Sequence, residues 1–563
     1  MTAQPAPQPS YASGSSEVPL LGETIGQALA RTAAAHPAAE ALVDFPSGLR
    51  WTYAQLDADV TRLAHGLLRA GIAAGDRVGI WSPNRPEWVL LQYATARIGA
   101  ILVTINPAYR TNELAYVVRQ SGLRLLVAVP SFKTSDYRAM VAEVAPECPA
   151  LESVVWIGEA SWTDLAGTRD DAAPGGSAPG KTAPDEIALD EAAQAELDAR
   201  AATLSFDDPI NIQYTSGTTG FPKGATLTHH NILNNAYFVG VVKRYTTADR
   251  ICVPVPFYHC FGMVIGNLAA LTHGAAVVIP GAAFDPAATL AAVAAERCTS
   301  LLSVPTMFIA MLADPTLPGL DVSSLRTGMM AGSPCPVEVM KRVVGELGMT
   351  EVTIGYGMTE TSPVSTQTLV DDDLEHQVST VGAVHPHVEI AVFDPVTNLV
   401  VPRGTSGEFR ARGYHVMRGY WEEPAKTAEA IDPAGWMHTG DLAVMDPDGY
   451  VRIVGRIKDL VIRGGENIAP REVEEFLFTH PSVVDAQVVG VPDPRLGEEL
   501  CAVLRLAPGA SVTTEEIREF CRGRIAHYKV PRYVVVVDAY PMTVTGKIQK
   551  FVLREAMTAE LGL

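Results

Sequence analysis

The fold is decided by the stretch Tyr214-Thr215-Ser216-Gly217-Thr218-Thr219-Gly220-Phe221-Pro222-Lys223-Gly224. Its three glycines let the backbone approach a polyanion and direct N–H groups at it. Four hydroxyl side chains add hydrogen-bond donors, and Lys223 adds a positive charge. A strand-like run over 210–214 precedes the stretch, and a polar helix start near 228–231 follows it. These features predict a phosphate-binding loop between a strand and a helix.

The spacing of this loop differs from that of the P-loop NTPases, GxxxxGK[ST]. In that family a hydroxyl residue follows the lysine and binds Mg²⁺, whereas here Gly224 follows Lys223. A metal ligand must therefore come from another part of the chain. The alternative is a Ser/Thr/Gly surface loop without function, but the eleven-residue motif is too specific for that interpretation.

Helical and strand patterns alternate along the first four-fifths of the chain. Thr52 is predicted to cap a helix, and strand-like runs occupy residues 77–82, 100–105 and 123–129. A further helix is predicted over 87–97. Such βα alternation predicts parallel sheets that are covered by helices, the α/β fold class.

The pattern changes near residue 456. Strands are predicted over 483–491 and 499–506, and Thr513 with Glu516 resembles a capping box that begins a helix. These elements make a compact α+β unit of about a hundred residues, a normal domain size. The sequence thus predicts a flexible tail over 1–18, a large N-terminal domain of layered sheets and helices over 19–456, and a small α+β domain over 457–563.

The composition is that of a well-packed globular protein, with 47% hydrophobic and 19% charged residues. The net charge of −20 argues against nucleic acid as a partner, because a polyanion repels such a surface. The seven cysteines follow no disulfide or zinc-ligand spacing, which is typical of reduced thiols. Residues 1–17 lack the pattern of a signal peptide. These features predict a cytoplasmic protein.

One uncharged stretch, residues 251–284, is long enough to span a bilayer. Prolines, glycines and histidines interrupt it, so we interpret it as a buried strand–loop–helix–strand beside an apolar pocket and not as a transmembrane segment. Residues 166–185, rich in Gly, Ala, Pro and Asp, are predicted to be a surface loop without chemistry. The sequence leaves open whether the protein contacts a membrane peripherally and whether it forms a homodimer.

The eleven-residue loop resembles the signature of the adenylate-forming superfamily, which contains acyl-CoA synthetases, luciferase-like enzymes and peptide-synthetase adenylation domains. The resemblance extends from about residue 20 to the C-terminus and includes every core motif. It implies ATP, Mg²⁺ and CoA as the cofactor and co-substrates. It also implies that ATP is bound by Thr215, Ser216, Gly217, Thr218, Thr219, Gly220, Phe221, Pro222 and Lys223.

A second motif, YGMTE, resembles the next core motif of the superfamily. In the family its tyrosine, here Tyr356, stacks on adenine, and its threonine, here Thr359, contacts the phosphate. Its glutamate, here Glu360, holds Mg²⁺ and so supplies the carboxylate that the loop lacks. In isolation the pentapeptide would be interpreted as a turn. Its position after the phosphate loop in the chain is what indicates a functional motif. The other nucleotide contacts implied are the adenine-lining Gly332, Ser333 and Pro334, the ribose-binding Asp441, and Arg456 at the ribose or α-phosphate.

The small domain carries the remaining motifs of the resemblance. Lys458 falls on the family's hinge position, and the resemblance implies that the small domain is mobile about it. Lys547 matches the lysine that stabilises the negative charge between the carboxylate and the α-phosphate during adenylation. A glycine-rich loop would admit the arm of CoA, and two basic residues would meet its phosphates. These implied CoA contacts are Gly464, Gly465, Glu466, Arg471 and Lys529.

The family's reaction has two halves, formation of acyl-AMP and then transfer of the acyl group to CoA. Residues 257–263 contain no carboxylate, whereas amino-acid-activating relatives place an aspartate there for the substrate ammonium. An unpaired buried ammonium is costly, so we expect a fatty or other simple carboxylic acid as substrate. His259 matches a histidine near the reacting carboxylate in fatty-acyl, aryl and luciferase relatives, with a packed structural histidine as the alternative.

The leading hypothesis is an AMP-forming fatty acyl-CoA ligase for a medium- to long-chain acid. An aryl-CoA ligase is the close rival. An acyl-AMP ligase that loads a carrier protein is disfavoured because the glycine-rich CoA loop is present, and a luciferase-like oxygenase would use the same adenylation motifs. A non-catalytic acyl- or nucleotide-binding protein is disfavoured by the intact Lys223, Glu360, Asp441, Arg456 and Lys547.

Overall fold

A large N-terminal domain of layered sheets and helices is followed by a small α+β domain in the computed structural model. The predicted combination of an α/β domain with a smaller C-terminal domain is confirmed. The structure describes residues 8–167, 191–215, 222–333, 335–464, 466–542 and 548–563. The predicted surface loop over 166–185 lies almost wholly outside these ranges.

The strands alternate with helices along most of the chain. In chain order they are β1 Tyr11–Ser13, β2 Glu40–Asp44, β3 Leu49–Thr52, β4 Arg77–Trp81, β5 Ile101–Thr104, β6 Leu125–Ala128, β7 Ser131–Phe132, β8 Ser135–Asp136, β9 Ser153–Trp156, β10 Pro209–Thr215, β11 Lys223–Thr228, β12 Arg250–Cys252, β13 Ala276–Ile279, β14 Ser300–Ser303, β15 Thr327–Met330, β16 Glu351–Gly357, β17 Val364–Gln367, β18 Ala383–Val384, β19 Val388–Phe393, β20 Gly407–Gly413, β21 Gly419–Tyr420, β22 Met437–Met445, β23 Val451–Arg456, β24 Val461–Arg463, β25 Glu466–Ile468, β26 Val483–Asp493, β27 Gly497–Leu506 and β28 Tyr533–Val536.

The helices lie between these strands. The α-helices are α1 Ile25–Ala35, α2 Tyr53–Arg69, α3 Pro86–Ile98, α4 Thr111–Ser121, α5 Tyr137–Val144, α6 Ala160–Ala166, α7 Glu191–Ala201, α8 His229–Val242, α9 Ala269–His273, α10 Pro286–Ala295, α11 Pro305–Leu312, α12 Val337–Glu346, α13 Leu374–Ser379, α14 Pro424–Ala430, α15 Pro470–Leu477, α16 Thr514–Cys521 and α17 Lys550–Glu560. A π-helix spans Phe261–Leu268, and 3₁₀ turns include Thr359–Thr361 and Ile457–Asp459.

Two mostly parallel sheets form the centre of the N-terminal domain. One has the strand order β21-β11-β10-β5-β4-β6-β9, and the other has the order β18-β17-β16-β15-β14-β12-β13-β2-β3. A third, antiparallel sheet has the order β1-β19-β20-β22-β23. Because ligands of α/β proteins bind beyond the carboxyl ends of parallel strands, the loops after β10, β15 and β16 are placed to form a site.

Capping boxes begin the helices where the sequence predicts them. Thr52 caps α2 and exchanges hydrogen bonds with Gln55, at 3.2 and 2.9 Å. Thr513 caps α16 in the same way, with Glu516 as its partner. Each box satisfies backbone N–H groups that the first helical turn leaves unpaired. The local signals in the sequence therefore locate these helix starts correctly.

The N-terminal tail is partly ordered, which differs from the prediction of a flexible segment over 1–18. Strand β1 pairs antiparallel with β19, with Tyr11 opposite Ala391. The Tyr11 hydroxyl donates to Glu389 at 2.7 Å. Backbone pairing at a sheet edge requires no apolar pattern, so the polar composition of this segment concealed the strand.

The predicted helix start near 228–231 is confirmed, because Thr228 caps α8. The sequence analysis did not predict strand β11, which lies between the loop and this helix and pairs antiparallel with β10, with Thr215 opposite Lys223. The loop is therefore the connection of a β-hairpin, and the pairing of its two strands fixes how Lys223 is presented.

The apolar cores are separate in the two parts of the chain. One core of the N-terminal domain includes residues from Ile25 to Val451, and the C-terminal cores include residues from Val461 to Met557. All seven cysteine thiols are free and buried, as predicted for packing residues. Within the described ranges, no helix has both the length and the apolar character needed to cross a bilayer.

A buried lysine at the end of α8 makes the stability of the fold pH-dependent. Lys243 is fully buried, and its Nζ lies 3.4 Å from the Tyr245 hydroxyl. Burial, and then the positive charge of Arg326, holds the pKa of Lys243 well below its ordinary value. Between the lowered pKa of the folded protein and the ordinary lysine pKa, the unfolded chain therefore binds a proton that the folded chain does not. Stability therefore rises with pH until the ordinary lysine pKa is reached.

We expect Lys243→Met to raise the free energy of unfolding by about 1–3 kcal/mol near neutral pH, because the buried amine is removed. The gain should shrink toward about pH 10, where the unfolded lysine of the parent also loses its proton. Urea unfolding across this pH range measures both effects. Lys341→Met is the control, because Lys341 is exposed and ion-paired with Glu338. A gain that does not change with pH would contradict the prediction.

Candidate active site

The two strands that flank the phosphate loop bring a hydroxyl and a cation together. Residues 216–221 of the loop lie outside the described ranges, so the structure describes Thr215, Pro222 and Lys223. The Thr215 hydroxyl donates to Glu360 Oε1 at 3.3 Å. The Lys223 ammonium lies 4.8 Å from the ring centroid of Tyr420, within the range of a cation–π interaction. The YGMTE motif and the loop therefore meet in space.

Glu360 is the buried centre of this group, with 5% of its surface exposed. It lies in the 3₁₀ turn Thr359–Thr361, directly after β16. The Tyr420 hydroxyl donates to Glu360 Oε1 at 2.8 Å, and Thr215 bonds the same oxygen. Neither donor occupies Oε2. Because Mg²⁺ in nucleotide sites is held by one or two carboxylates together with substrate phosphates, this second oxygen fits the predicted metal ligand.

Tyr420 is a residue of the site that the sequence analysis missed. Burial and the carboxylate of Glu360 raise the pKa of Tyr420, so its hydroxyl stays protonated as a donor at neutral pH. Strand β21 places it beside β11, with Tyr420 opposite Ala225. The next residue, Trp421, donates its backbone N–H to the Gly224 carbonyl at 2.7 Å. In the sequence Tyr420 is marked only by the glycine before it, Gly419. This pair does not indicate that Tyr420 contacts Glu360.

The second cluster consists of Tyr356, Asp441 and Arg456. The Tyr356 hydroxyl donates to Asp441 Oδ2 at 2.7 Å, and Arg456 Nε donates to Asp441 Oδ1 at 2.6 Å. Asp441 is 7% exposed, and its position opposite Arg456 is set by the pairing of β22 with β23. An ionised carboxylate has about four acceptor positions. Both oxygens thus retain capacity for further donors, such as ribose hydroxyls.

The predicted adenine-lining turn follows β15, next to the strand that carries Tyr356. Gly332 has a φ of +86°, a left-handed conformation that favours glycine. A Cβ at this position would lie 3.2 Å from Val304 Cγ1. Ser333 follows Gly332 in the turn, and Pro334 lies outside the described residues. Strands β15 and β16 are parallel neighbours, so this turn and Tyr356 emerge at the same edge of the sheet.

His259 lies in the turn between β12 and the π-helix. The uncharged stretch folds as the predicted strand, loop, helix and strand, although its helix begins with eight residues of π-helix. His259 is half-buried, and its ring lies 4.8 Å from that of Tyr258. The next residue, Cys260, has its thiol within hydrogen-bond reach of Thr359, and burial raises the pKa of this thiol to about 12. The His259 turn therefore borders the YGMTE motif.

The π-helix makes close contact with the turn that precedes it. A Cβ at Gly262 would lie 2.3 Å from the Pro256 carbonyl oxygen, so only glycine allows this packing. Met263, Val264 and Ile265 are at most 2% exposed. π-Helices are rare and occur frequently at functional sites. The segment beside His259 is thus apolar and closely packed, which suits the acyl part of a simple carboxylic acid.

The predicted CoA-binding residues lie on the C-terminal domain. Gly464, with a φ of +61°, forms the turn between β24 and β25, and Glu466 begins β25. Arg471 pairs with Glu475 at 3.5 Å, and Lys529 pairs with Glu472. Both carboxylates lie on α15, so the structure brings the two basic residues to one helix. Lys458 lies in the turn Ile457–Asp459, and Gly465 and Lys547 lie outside the described residues.

The sequence matches known families over most of its length. Residues 29–421 match the model of the AMP-binding enzyme family, and residues 472–547 match that of the AMP-binding enzyme C-terminal domain. A putative acyl-CoA synthetase, YngI of Bacillus subtilis, is 47% identical, and the match covers 95% of this chain and 97% of the relative. The mitochondrial medium-chain acyl-CoA ligase ACSF2 of Danio rerio is 46% identical, over 98% of this chain and 91% of the relative.

Solved structures share the same two-domain fold. ATP-bound MatB from Rhodopseudomonas palustris superposes with a TM-score of 0.79 at 30% identity, over 95% of this chain and 99% of that one. The anthranilate CoA ligase AuaEII, in complex with anthranoyl-AMP, gives a TM-score of 0.82 at 25% identity, over 97% and 99% of the two chains. The protein therefore belongs to the family of AMP-binding enzymes, the adenylate-forming superfamily.

Proposed function

We propose that this protein is an AMP-forming acyl-CoA ligase that activates a medium- to long-chain fatty acid. The observation that carries the proposal is the convergence of Thr215 and Tyr420 on one oxygen of Glu360, beside the Tyr356–Asp441–Arg456 cluster. The first group suits a metal-bound polyphosphate, and the second suits a ribose. The names of the relatives at 46–47% identity support ligation to CoA.

In the first half-reaction an oxygen of the carboxylate forms a bond to the α-phosphorus of ATP. The bond from that phosphorus to the bridging oxygen breaks, and pyrophosphate leaves with the electron pair. Bound Mg²⁺ would neutralise charge on the phosphates. Lys223 and the loop hold the leaving phosphates, while Lys547 stabilises the charge at the α-phosphate. The work of the protein is positioning and electrostatic stabilisation.

In the second half-reaction the CoA thiolate attacks the acyl carbonyl, and AMP leaves. We propose that the small domain rotates about Lys458, which withdraws Lys547 and brings the Gly464–Gly465 turn to the site. Arg471 and Lys529 would then exchange their present carboxylate partners for the phosphates of CoA. Glu472 is exposed, and a surface ion pair is worth only about 0–1 kcal/mol, so the release of Lys529 is inexpensive. Arg471 and Glu475 are both half-buried, so the release of Arg471 needs the compensating charge of the CoA phosphates.

The proposed substrate class rests on the wall around His259. Residues 257–263 carry no acid, and the residues of the π-helix after its first turn are buried and uncharged. His259 would contact the reacting carboxylate. The relatives named as medium-chain ligases support an alkyl acid. An aryl-CoA ligase remains the second candidate, because a solved anthranilate CoA ligase shares the fold.

Pyrophosphate release with octanoate, palmitate and benzoate, each with and without CoA, tests the proposal. We expect CoA-dependent thioester formation with octanoate or palmitate and slower turnover of benzoate. Preference for benzoate would favour the aryl-CoA ligase hypothesis. Pyrophosphate release without thioester formation would favour a carrier-loading acyl-AMP ligase. Failure of all three acids to release pyrophosphate would overturn the proposal and favour a non-catalytic binding protein.

Three properties of the whole protein stay predictions. Location in the cytoplasm is favoured by the seven free thiols. Peripheral contact with a membrane and a homodimer would be tested by vesicle sedimentation and by light scattering of the full chain. Nucleic acid is not an expected partner at a net charge of −20.

A further inference from the structure

Two buried carboxamides hold the turn that carries His259. The turn follows β12 and includes two prolines, and its buried backbone groups after Val253 need hydrogen-bond partners outside the strand pairing. Asn84, 5% exposed, accepts a hydrogen bond from the Phe257 N–H at 2.8 Å. Its amide nitrogen donates to the Val255 carbonyl at 2.9 Å. Asn84 thus bonds the turn on the N-terminal side of His259.

Gln213 bonds the same turn on its other side. Its Oε1 accepts hydrogen bonds from the Cys260 backbone N–H at 3.1 Å and from the Cys260 thiol at 3.0 Å. Its Nε2 donates to Met263 Sδ at 3.4 Å. Gln213 is 2% exposed. His259 therefore lies between two residues, Phe257 and Cys260, whose N–H groups are each fixed by a carboxamide.

The two carboxamides come from the sheet that carries the phosphate loop. Gln213 is in β10, two residues before Thr215, and Asn84 follows β4 of the same sheet. The His259 turn leaves β12, which belongs to the nine-stranded sheet. These hydrogen bonds therefore join the element that would present the acid to the element that would present the phosphates of ATP.

We propose that Asn84 and Gln213 are positioning residues that fix His259 relative to β10, the strand that leads into the phosphate loop. The proposal rests on the function proposed above. The attacking oxygen must be held at the correct distance and angle from the α-phosphorus. A misplacement of about 1 Å can cost about 10²-fold in rate. The alternative is a purely structural role, in which the two amides only pair buried backbone groups and stabilise the fold.

A double-substitution cycle separates these two roles. Gln213→Met keeps the volume of the side chain but removes its acceptor and donor. We expect it to lower kcat/KM for the acid about 30-fold in acid-dependent pyrophosphate exchange, with KM for ATP within about threefold. In a His259→Ala background the same substitution should cost less than about threefold, because there is no imidazole left to misplace.

Asn211→Leu is the matched control. Asn211 is on the same face of β10 and is 2% exposed, but its amide donates to the Leu102 carbonyl at 2.9 Å and not to the His259 turn. We expect a loss of less than about threefold. An equal loss in this control, additive losses of Gln213→Met and His259→Ala, or an equal rise of KM for ATP would each overturn the positioning role.

Hydrogen exchange of residues 253–260 provides a readout without turnover. Gln213→Met should speed exchange of the Cys260 amide at least tenfold, since a lost hydrogen bond of about 1.4 kcal/mol gives that factor. Unchanged exchange would overturn the proposal. If Gln213→Met does not fold, Asn84→Ser carries the same measurements at Phe257. Absence of pyrophosphate exchange in the parent protein would count against the proposed function, whereas an active parent with additive losses would count against the positioning role alone.

Discussion

Glu360→Gln should lower acid-dependent pyrophosphate release by about 10²–10³-fold. The substitution leaves the size of the side chain and an acceptor oxygen for Tyr420 and Thr215, so the local structure should persist. It removes the negative charge at the second oxygen, and a neutral amide is a poor ligand for a hard cation. The loss should therefore appear in catalysis and not in the thermal stability of the protein.

The measurement is initial-rate pyrophosphate release as a function of Mg²⁺, paired with calorimetric titration of Mg²⁺ into the enzyme–ATP complex. Both should show weaker metal binding. Glu346→Gln serves as the control, because Glu346 is a half-exposed carboxylate that pairs with Arg342 on α12. A Glu360→Gln protein with activity within about fivefold of the parent would show that the metal is held elsewhere.

Lys547→Ala should divide the two half-reactions. Acyl-AMP formation should fall by about 10³-fold, because the cation that stabilises charge at the α-phosphate is lost. Thioester formation from supplied acyl-AMP should stay within about threefold, because that step does not build charge at the same place. Lys341→Ala, at an exposed lysine, controls for a general loss of positive charge.

Single-turnover assays of each half-reaction measure this division directly. Equal losses in both halves would contradict it and would indicate that Lys547 supports the fold of the small domain or binds both intermediates. The prediction derives from the C-terminal motif alone, since Lys547 lies outside the residues that the structure describes.

Local signals in the sequence predicted much of the fold. Thr52 and Thr513 predicted helix starts correctly, because a capping box involves residues only three positions apart and can be recognised in the sequence. The YGMTE motif and Asp441 could be predicted as site residues because each belongs to a short motif with a fixed order in the chain. Parallel topology accounts for the position of the YGMTE motif beyond β16, whereas Asp441 comes from β22 of the antiparallel sheet.

Contacts between distant residues could not be predicted in the same way. Tyr420 and Glu360 are sixty positions apart, and nothing in either segment specifies the hydrogen bond between them. Gln213 precedes the loop as one polar residue in a buried strand, and its bond to Cys260 depends on how two sheets pack. The edge strand at Tyr11 was missed because its stability comes from backbone pairing. Sequence patterns indicate periodicity and local chemistry. The two long-range hydrogen bonds and the edge strand depend on neither, so the sequence alone could not predict them.

The π-helix Phe261–Leu268 has a consequence for how the acyl preference changes between homologues. A π-helix closes its hydrogen bonds over one more residue than an α-helix. Deleting one residue there would allow an ordinary α-helix, and the side chains that follow would keep nearly the same direction about the helix axis, because the wider turn absorbs the extra residue. The change would therefore be confined to the side chains of the π-helix itself, and the strands on either side would stay in register. Substrate range could diverge here by a single insertion or deletion, without a series of point substitutions.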